Sequence, residues 1–398
     1  MKGHIRERGP GKWVINYDSP PGPDGRRRQK SLTINGSKKD AQRKLTEILH
    51  QLQTGTYVGA SRTTVTDYLQ QWLRDHASVN CSPKTHLEYA NKMRDYVLPN
   101  IGNIRLQDLK PAHIVSMYQT LRTSGRVRPK SVAAEAEGEE PTVETGLSER
   151  TVLHVHRILH RAFKQAVLWE LLLRNPCDAV VSPRPQKVEM RFLEPDQLTE
   201  LLETAGGHCC YTAIVLAVST GMRLGEICAL RWQDIDMEEG FLSVRRSLEY
   251  TATTGMRFKP PKTGRSVRRI DLPMETVAQL RIAKGEQAEG RILLGSGYQN
   301  NDLVCCQPDG QPFRPDQVSQ YFSGLLKKAC LPHVRFHDLR HSHATWLLKS
   351  GVHPKVVQER LGHATIGITL DTYSHVLPSM QVDAARKIDD LLRSALGK

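Results

Sequence analysis

Five short segments collect the residue types that could move a phosphoryl group. They are Thr220-Gly221-Met222-Arg223-Leu224-Gly225-Glu226, Lys262-Thr263-Gly264-Arg265-Ser266, His337-Asp338-Leu339-Arg340-His341, Leu361-Gly362-His363 and Leu370-Asp371-Thr372-Tyr373-Ser374-His375. Together they place basic residues at turns and helix starts, and the series ends in one tyrosine. A phenol can attack a phosphodiester and later serve as leaving group, which conserves bond energy in a covalent phosphoprotein. Phosphoryl transfer asks chiefly for positioning and for neutralisation of the non-bridging oxygens. Guanidinium forks match that geometry. Where no metal assists, an acid must protonate the departing 5′ oxygen, and a lysine on a hairpin can reach it. Competing signatures are missing: there is no G-x4-G-K-[ST] loop, Rossmann glycine triplet, G-x-S-x-G elbow or H-E-x-x-H. No carboxylate cluster suggests a two-metal nuclease.

Each of these residues also has an ordinary reading. Arg223 alone would be a helix-start arginine with a surface partner. Glu226 lies one helical turn after it and can orient it. Lys262 competes with Lys259 and Arg265, since lone basic residues in hairpins are usually solvated. His337 and Arg340 are spaced to fall on successive helix turns and face one side; the ordinary reading is a buried histidine beside a capping arginine. His341 and His343 read as structural. His363 follows Gly362 at a helix end, a common place for a capping side chain. Of eleven tyrosines most belong to core or surface, and only context singles out Tyr373.

In this order and at these spacings, the segments resemble the tyrosine recombinase/phage integrase family, and the resemblance extends over the whole chain. It implies a catalytic set of Arg223, Lys262, His337, Arg340, His363 and Tyr373, with Glu226 supporting Arg223. Arg223 and His363 would act on the phosphate, Lys262 would be the general acid and Tyr373 the nucleophile. The ten-residue step from His363 to Tyr373 resembles integrases of temperate phages and conjugative transposons. The implied reaction is site-specific recombination: a 3′-phosphotyrosyl link, a free 5′-hydroxyl, a Holliday junction, and integration or excision of a mobile or viral genome. No metal or nucleotide cofactor is implied. The implied partners are double-stranded DNA at core and arm attachment sites, a homotetramer on that DNA, and a directionality factor or host DNA-bending protein. The expected location is the bacterial cytoplasm, at the nucleoid. Two alternatives stand: a type IB topoisomerase, which an additional arm-binding unit argues against, and a non-catalytic DNA-binding regulator, which the intact residue set argues against.

The elements that must position these residues follow from the rest of the chain. At about 150 residues per domain, 398 residues suggest two or three domains. Lys and Arg number 56 against 42 Asp and Glu, a net charge of +14, and the isoelectric point is near 9.4. Such a surplus points to a polyanionic partner, nucleic acid before membrane. A hydrophobic fraction of 39% with 25% charged residues excludes a largely disordered chain. The longest apolar run, Cys209 to Val218, is too short to span a bilayer. Residues 1–12 lack an apolar segment, so no secretory leader is expected. The eight cysteines show no C-x2-C spacing, which argues against structural zinc and for reduced thiols.

The sequence predicts a multidomain chain with three parts. Residues 1–60 carry 12 basic and 5 acidic residues, a surplus of +7, and read as a small β-sheet plus helix N-terminal domain. Two strands are expected, one with Trp13, Ile15 and Tyr17 alternating and one over Ser31–Ile34, followed by a helix from Ser37 to Gly55. Arg26, Arg27, Arg28 and Lys30 are its candidate DNA contacts, and the family resemblance makes it an arm-site binding domain. Residues 64–183 read as an all-α core-binding domain. Its long helix after Ser148 shows Arg157, Arg161 and Lys164 as candidate DNA contacts, and an acidic flexible insertion spans 131–146. Residues 190–398 read as an α+β domain, the tyrosine recombinase catalytic domain by resemblance. A hairpin or three-strand sheet is expected within Gly240–Pro273, with helices at Tyr211–Thr220, Leu224–Leu230, Pro315–Cys330, His341–Ser350, Pro354–Leu361 and Met380–Leu396. In the last of these, Ala384, Ile388, Leu391, Leu392 and Ala395 form an apolar stripe that either folds back or, as the resemblance suggests, docks on a neighbouring subunit.

Overall fold

The structure is a computed structural model and describes residues 3–19, 28–54, 61–127, 130–132, 142–186, 192–260, 267–373 and 378–396. The chain divides into two compact units, Met1–Lys187 and Val188–Lys398.

The first unit holds two separate cores. One is an antiparallel sheet of β1 (Gly3–Gly9), β2 (Lys12–Ser19) and β3 (Arg28–Asn35), covered by α1 (Lys38–Gln53). Ile15 and Tyr17 alternate inward from β2 and meet Ala41, Leu45, Ile48 and Leu52 of α1. Ser37 starts α1 through a reciprocal cap with Asp40, which satisfies two amides that the first helical turn leaves open. The sheet has one strand more than the sequence indicated. In β1 only Ile5 offers an apolar side chain, paired with Ile15, so no alternating pattern marks it.

The other core is helical: α2 (Val65–Trp72), α3 (Ser78–Asn80), α4 (Pro83–Lys92), α5 (Leu98–Ile101), α6 (Pro111–Ser124) and, later in the chain, α7 (Glu149–Leu168). Val152, Val155, Ile158, Leu159, Ala162, Phe163 and Ala166 form the buried stripe of α7, a 3.6-residue period. The expectation of a domain that is helical throughout needs correction. Lys130–Val132 (β4) and Thr142–Glu144 (β5) pair antiparallel, Ser131 opposite Val143. Val132, Thr142 and Val143 suit a ladder, and the glutamates between them obscured that signal.

In the second unit, α8 (Pro195–Ala205), α9 (Tyr211–Thr220) and α10 (Leu224–Ile227) precede the strands. The region read as one hairpin or sheet forms two. β6 (Ile235–Asp236), β7 (Phe241–Val244) and β10 (Arg268–Asp271) make a three-stranded sheet in the order β10-β7-β6, while β8 (Ser247–Thr251) and β9 (Gly255–Lys259) make a separate hairpin. Then follow α11 (Met274–Leu294), α12 (Pro315–Lys328), α13 (Asp338–Lys349), α14 (Pro354–Leu361), α15 (Ile366–Tyr373) and α16 (Pro378–Ala395). The sequence reading missed α8, α11 and α15. α11 buries only Thr276, Leu280 and Ala283, so it has no wide apolar stripe to detect. The core packs α9, nearly all apolar, against Leu242, Val244, Ile270, Phe322 and Leu339. On α16, Ile388, Leu391 and Leu392 are exposed. Among the described residues, no helix is long and apolar enough to cross a membrane, and no group of three metal-ligating side chains occurs.

Candidate active site

The site is built around the end of α14. A helix terminus leaves its last carbonyls without intrahelical donors and carries partial negative charge. Here three consecutive carbonyls are taken by three different arginines. The carbonyl of Arg360 accepts from Arg268 Nε at 2.8 Å, that of Leu361 from Arg340 Nη2 at 2.7 Å, and that of Gly362 from Arg223 Nη2 at 3.5 Å. Gly362 turns the chain in the left-handed region, φ +68°, and His363 follows it.

Arg223 stands at the entrance to α10, where Gly221 ends α9 with φ +65°. Its backbone N–H donates to Glu226 Oε2 at 3.0 Å and its Nη1 to Oε1 at 2.8 Å. Glu226 is only 3% exposed and also accepts from Arg268 Nη2 at 2.9 Å. Burial alone would raise its pKa, but the two guanidiniums hold the carboxyl below the usual range, Arg268 acting more strongly than Arg223. The one-turn spacing that marked Glu226 as a support for Arg223 is thus a direct ion pair.

Arg340 is 2% exposed and spans two motifs, since its Nη1 donates to the Gly221 carbonyl at 2.7 Å. His337 does not lie inside the helix as its spacing to Arg340 suggested. It stands just before α13, which begins at Asp338, and its side chain makes no hydrogen bond to the helix start; Asp338 accepts from the Arg335 backbone N–H at 2.7 Å. His337 packs edge-on against His341, with ring centroids 5.2 Å apart. Burial first, then the charge of Arg340, pushes the His337 pKa down. His341 falls to about 4, mainly through burial.

His363 is pushed down to about 3 by burial and by the charges of Arg340 and Arg223, so it is a neutral imidazole between cations. Its Nδ1 lies 2.9 Å from Thr369 Oγ1. With the Thr369 hydroxyl as donor, the ring proton sits on Nε2, the tautomer that can donate to a phosphate oxygen. Thr369 is buried on α15, one helical turn before Tyr373, which is the last residue of that helix. A cleft of about 670 Å³ opens beside these groups, lined in part by Arg268, Gln358, Gly362, His363 and Thr365.

His343 reads as structural here too. Its Nδ1 lies 2.7 Å from the Val218 carbonyl, and Arg360 Nε donates to its Nε2 at 3.2 Å. Lys262 and Arg265 lie outside the described residues, as do Arg26 and Arg27. Lys259, the competing lysine, closes β9 in an ion pair with Glu249 of β8. Lys30 is exposed on β3, and Arg157, Arg161 and Lys164 are exposed on the face of α7 opposite its buried stripe. Sequence reasoning gave no role to Arg268, Arg360 or Thr369. No local signal ranks the two arginines above their basic neighbours, and a lone threonine carries none.

The chain is similar to known proteins. Residues 191–380 match the model of the phage integrase family, and residues 64–122 match that of a phage integrase N-terminal SAM-like domain. The ICEBs1 integrase of Bacillus subtilis is 33% identical over 257 residues, which is 63% of this chain and 68% of that protein. A XerC-like tyrosine recombinase of Caldanaerobacter subterraneus is 26% identical over 89% of this chain and 90% of its own. Among solved structures, the Tn1549 transposon integrase in complex with transposon right end DNA superposes with a TM-score of 0.67 at 22% identity, covering 81% of this chain and 99% of that one. A lambda integrase tetramer bound to a Holliday junction gives 0.55 at 19% identity, covering 93% and 94%.

Proposed function

This chain belongs to the phage integrase family of tyrosine recombinases, and from that premise we propose how its own residues carry out strand exchange. The protein is a site-specific DNA recombinase that cuts and rejoins DNA strands to integrate or excise a mobile element. One observation carries the assignment of its site: Arg223 and Arg340 are anchored on adjacent carbonyls, Gly362 and Leu361, immediately before His363. Two guanidiniums fixed at one turn form a preorganised cradle for the non-bridging oxygens of one phosphate, where charge develops during displacement.

In this reading Tyr373 attacks the scissile phosphorus and forms the 3′-phosphotyrosyl link. Lys262 protonates the departing 5′ oxygen, and the neutral His363 donates a hydrogen bond to a non-bridging oxygen. His337 completes the pocket, and Glu226 fixes Arg223. The 5′-hydroxyl of a partner duplex then attacks the phosphotyrosine and releases the phenol. Residues 1–60 bind arm sites through Arg26, Arg27, Arg28 and Lys30. Residues 64–183 grip the core site, with Arg157, Arg161 and Lys164 on phosphates, and residues 190–398 perform the chemistry. The working form is a homotetramer on two DNA sites, held together by the apolar stripe of α16 docking on a neighbouring subunit and assisted by a directionality factor or a host DNA-bending protein.

The test separates this reading from its alternatives. A supercoiled plasmid carrying two copies of the DNA that flanks this chain's gene is incubated with the protein and its products are sequenced. Deletion or inversion between the copies is expected. Relaxation without exchange would mark a topoisomerase, and binding without either product would mark a regulator.

A further inference from the structure

We propose that Arg268 is a positioning residue for strand cleavage, acting on Arg223 through Glu226 and on the Gly362 turn through the Arg360 carbonyl. The inference deepens the strand-cleavage reading above and rests on it. Arg268 opens β10, the strand that follows the segment holding Lys262. Its side chain is 6% exposed, and it reaches across to two separate parts of the site. Nη2 donates to Glu226 Oε2 at 2.9 Å and Nε to the Arg360 carbonyl at 2.8 Å.

The turn itself is shaped around this side chain. A Cβ placed on Gly362 would lie 3.1 Å from Arg268 Cδ and 3.2 Å from Nη1. The guanidinium therefore packs against the backbone that presents the Leu361 and Gly362 carbonyls to Arg340 and Arg223. Glu226 in turn holds Arg223 by two hydrogen bonds, one to the backbone and one to Nη1. Among the described residues, the charged groups facing Glu226 are Arg223 and Arg268.

Removing Arg268 has two consequences. The buried Glu226 carboxylate keeps a single cationic partner, so it takes up a proton at a higher pH. Once protonated it accepts less strongly from Arg223, and the phosphate-binding fork loses its fixed orientation. The Gly362 turn also loses the donor on its first carbonyl. Small displacements of a positioning group lower rate more than affinity.

The experiment follows covalent adduct formation in a single turnover, using a nicked duplex copied from the DNA that flanks this chain's gene. Wild type, Arg268→Gln, Arg268→Lys and the double variant Glu226→Gln/Arg268→Gln are compared from pH 5 to 9. At saturating DNA, Arg268→Gln should form adduct about 10- to 100-fold more slowly, with DNA affinity and circular dichroism unchanged. Its rate should fall away on the acid side at a higher pH than in wild type. The double variant should lose that shift because it has no carboxylate left to titrate, and Arg268→Lys should recover part of the rate. If Arg268→Gln fails to fold, Arg268→Met carries the test through the same acid-side shift. A wild-type rate and acid limb in the Arg268 variants would overturn the proposal, as would a loss that tracks DNA affinity equally at every pH. Absence of adduct with the wild-type protein would instead overturn the strand-cleavage reading on which the proposal rests.

Discussion

Arg340 donates to the carbonyl of Gly221 at 2.7 Å, although the two residues are 119 positions apart in sequence. This bond ties the α13 motif to the turn that sets Arg223, and the other arm of the same guanidinium reaches the end of α14. Three motifs read separately in the sequence are thereby one rigid body of hydrogen bonds, and a substitution at any corner is felt at the others.

Gly221→Ala tests that rigidity. Gly221 has φ +65°, and an added Cβ would lie 2.7 Å from His343 and 2.7 Å from Leu361. The left-handed conformation costs about 1–2 kcal/mol for a residue with a side chain, and overpacking adds about 1–3 kcal/mol. The urea midpoint of the variant should fall accordingly. A midpoint equal to wild type would show that the turn relaxes freely.

Stability should depend on pH through buried neutral histidines. Burial holds His343 and His341 at about 4, and His363 at about 3, against 6.5 in the unfolded chain. The unfolded state therefore binds more protons below pH 6.5, and stability falls as pH drops from there toward 4. The buried His343 alone contributes a slope of up to about 1.4 kcal/mol per pH unit in that window. Urea titrations at pH 7 and pH 5 should show the decline, and His343→Gln should flatten it. Equal midpoints at the two pH values would mean that the rings are charged in the folded state.

Much of this was legible in the sequence, for physical reasons that differ by element. The apolar period of α7 and the caps of α1 and α14 are local signals, so those helices were readable. Arg223, Glu226, Arg340 and His363 were readable as a set because their spacings repeat a known chemical pattern. Arg268 was not, because its role depends on a fold that brings β10 beside α10 and α14. The same holds for Thr369, whose contact with His363 crosses a turn. The ladder of β4 with β5 was hidden by its acidic neighbours, and α11 by its mostly exposed surface.

The basic N-terminal sheet should report in salt dependence. Residues 1–60 hold half of the net charge, +7 of +14. Deleting them should weaken binding to outlying sites and flatten the plot of log affinity against log salt by about 0.9 per lost phosphate contact. Binding to the core site should persist through the remaining chain. An unchanged slope would make the sheet a solvated surface.

Lys262 is tested by changing the leaving group. A positioned acid is worth about 10²- to 10⁴-fold, so Lys262→Ala should slow cleavage by that order. With sulfur in place of the bridging 5′ oxygen, the leaving group needs no proton, and the variant should recover most of its rate. Arg223→Ala and Arg340→Ala should not recover, because they act on the non-bridging oxygens. Equal slowness of Lys262→Ala on both substrates would move the acid elsewhere. Lys259, already paired with Glu249, would then be examined first.

The central claim is that Tyr373 at the end of α15 is the nucleophile. The direct measurement traps the protein on a nicked duplex copied from the flanking DNA, digests the adduct and identifies by mass spectrometry the residue that carries the nucleotide. The account predicts a 3′-phosphonucleotide on Tyr373, and a Tyr373→Phe protein that binds the same duplex but yields no adduct. A nucleotide on any other residue, or adduct formation by Tyr373→Phe, would contradict it.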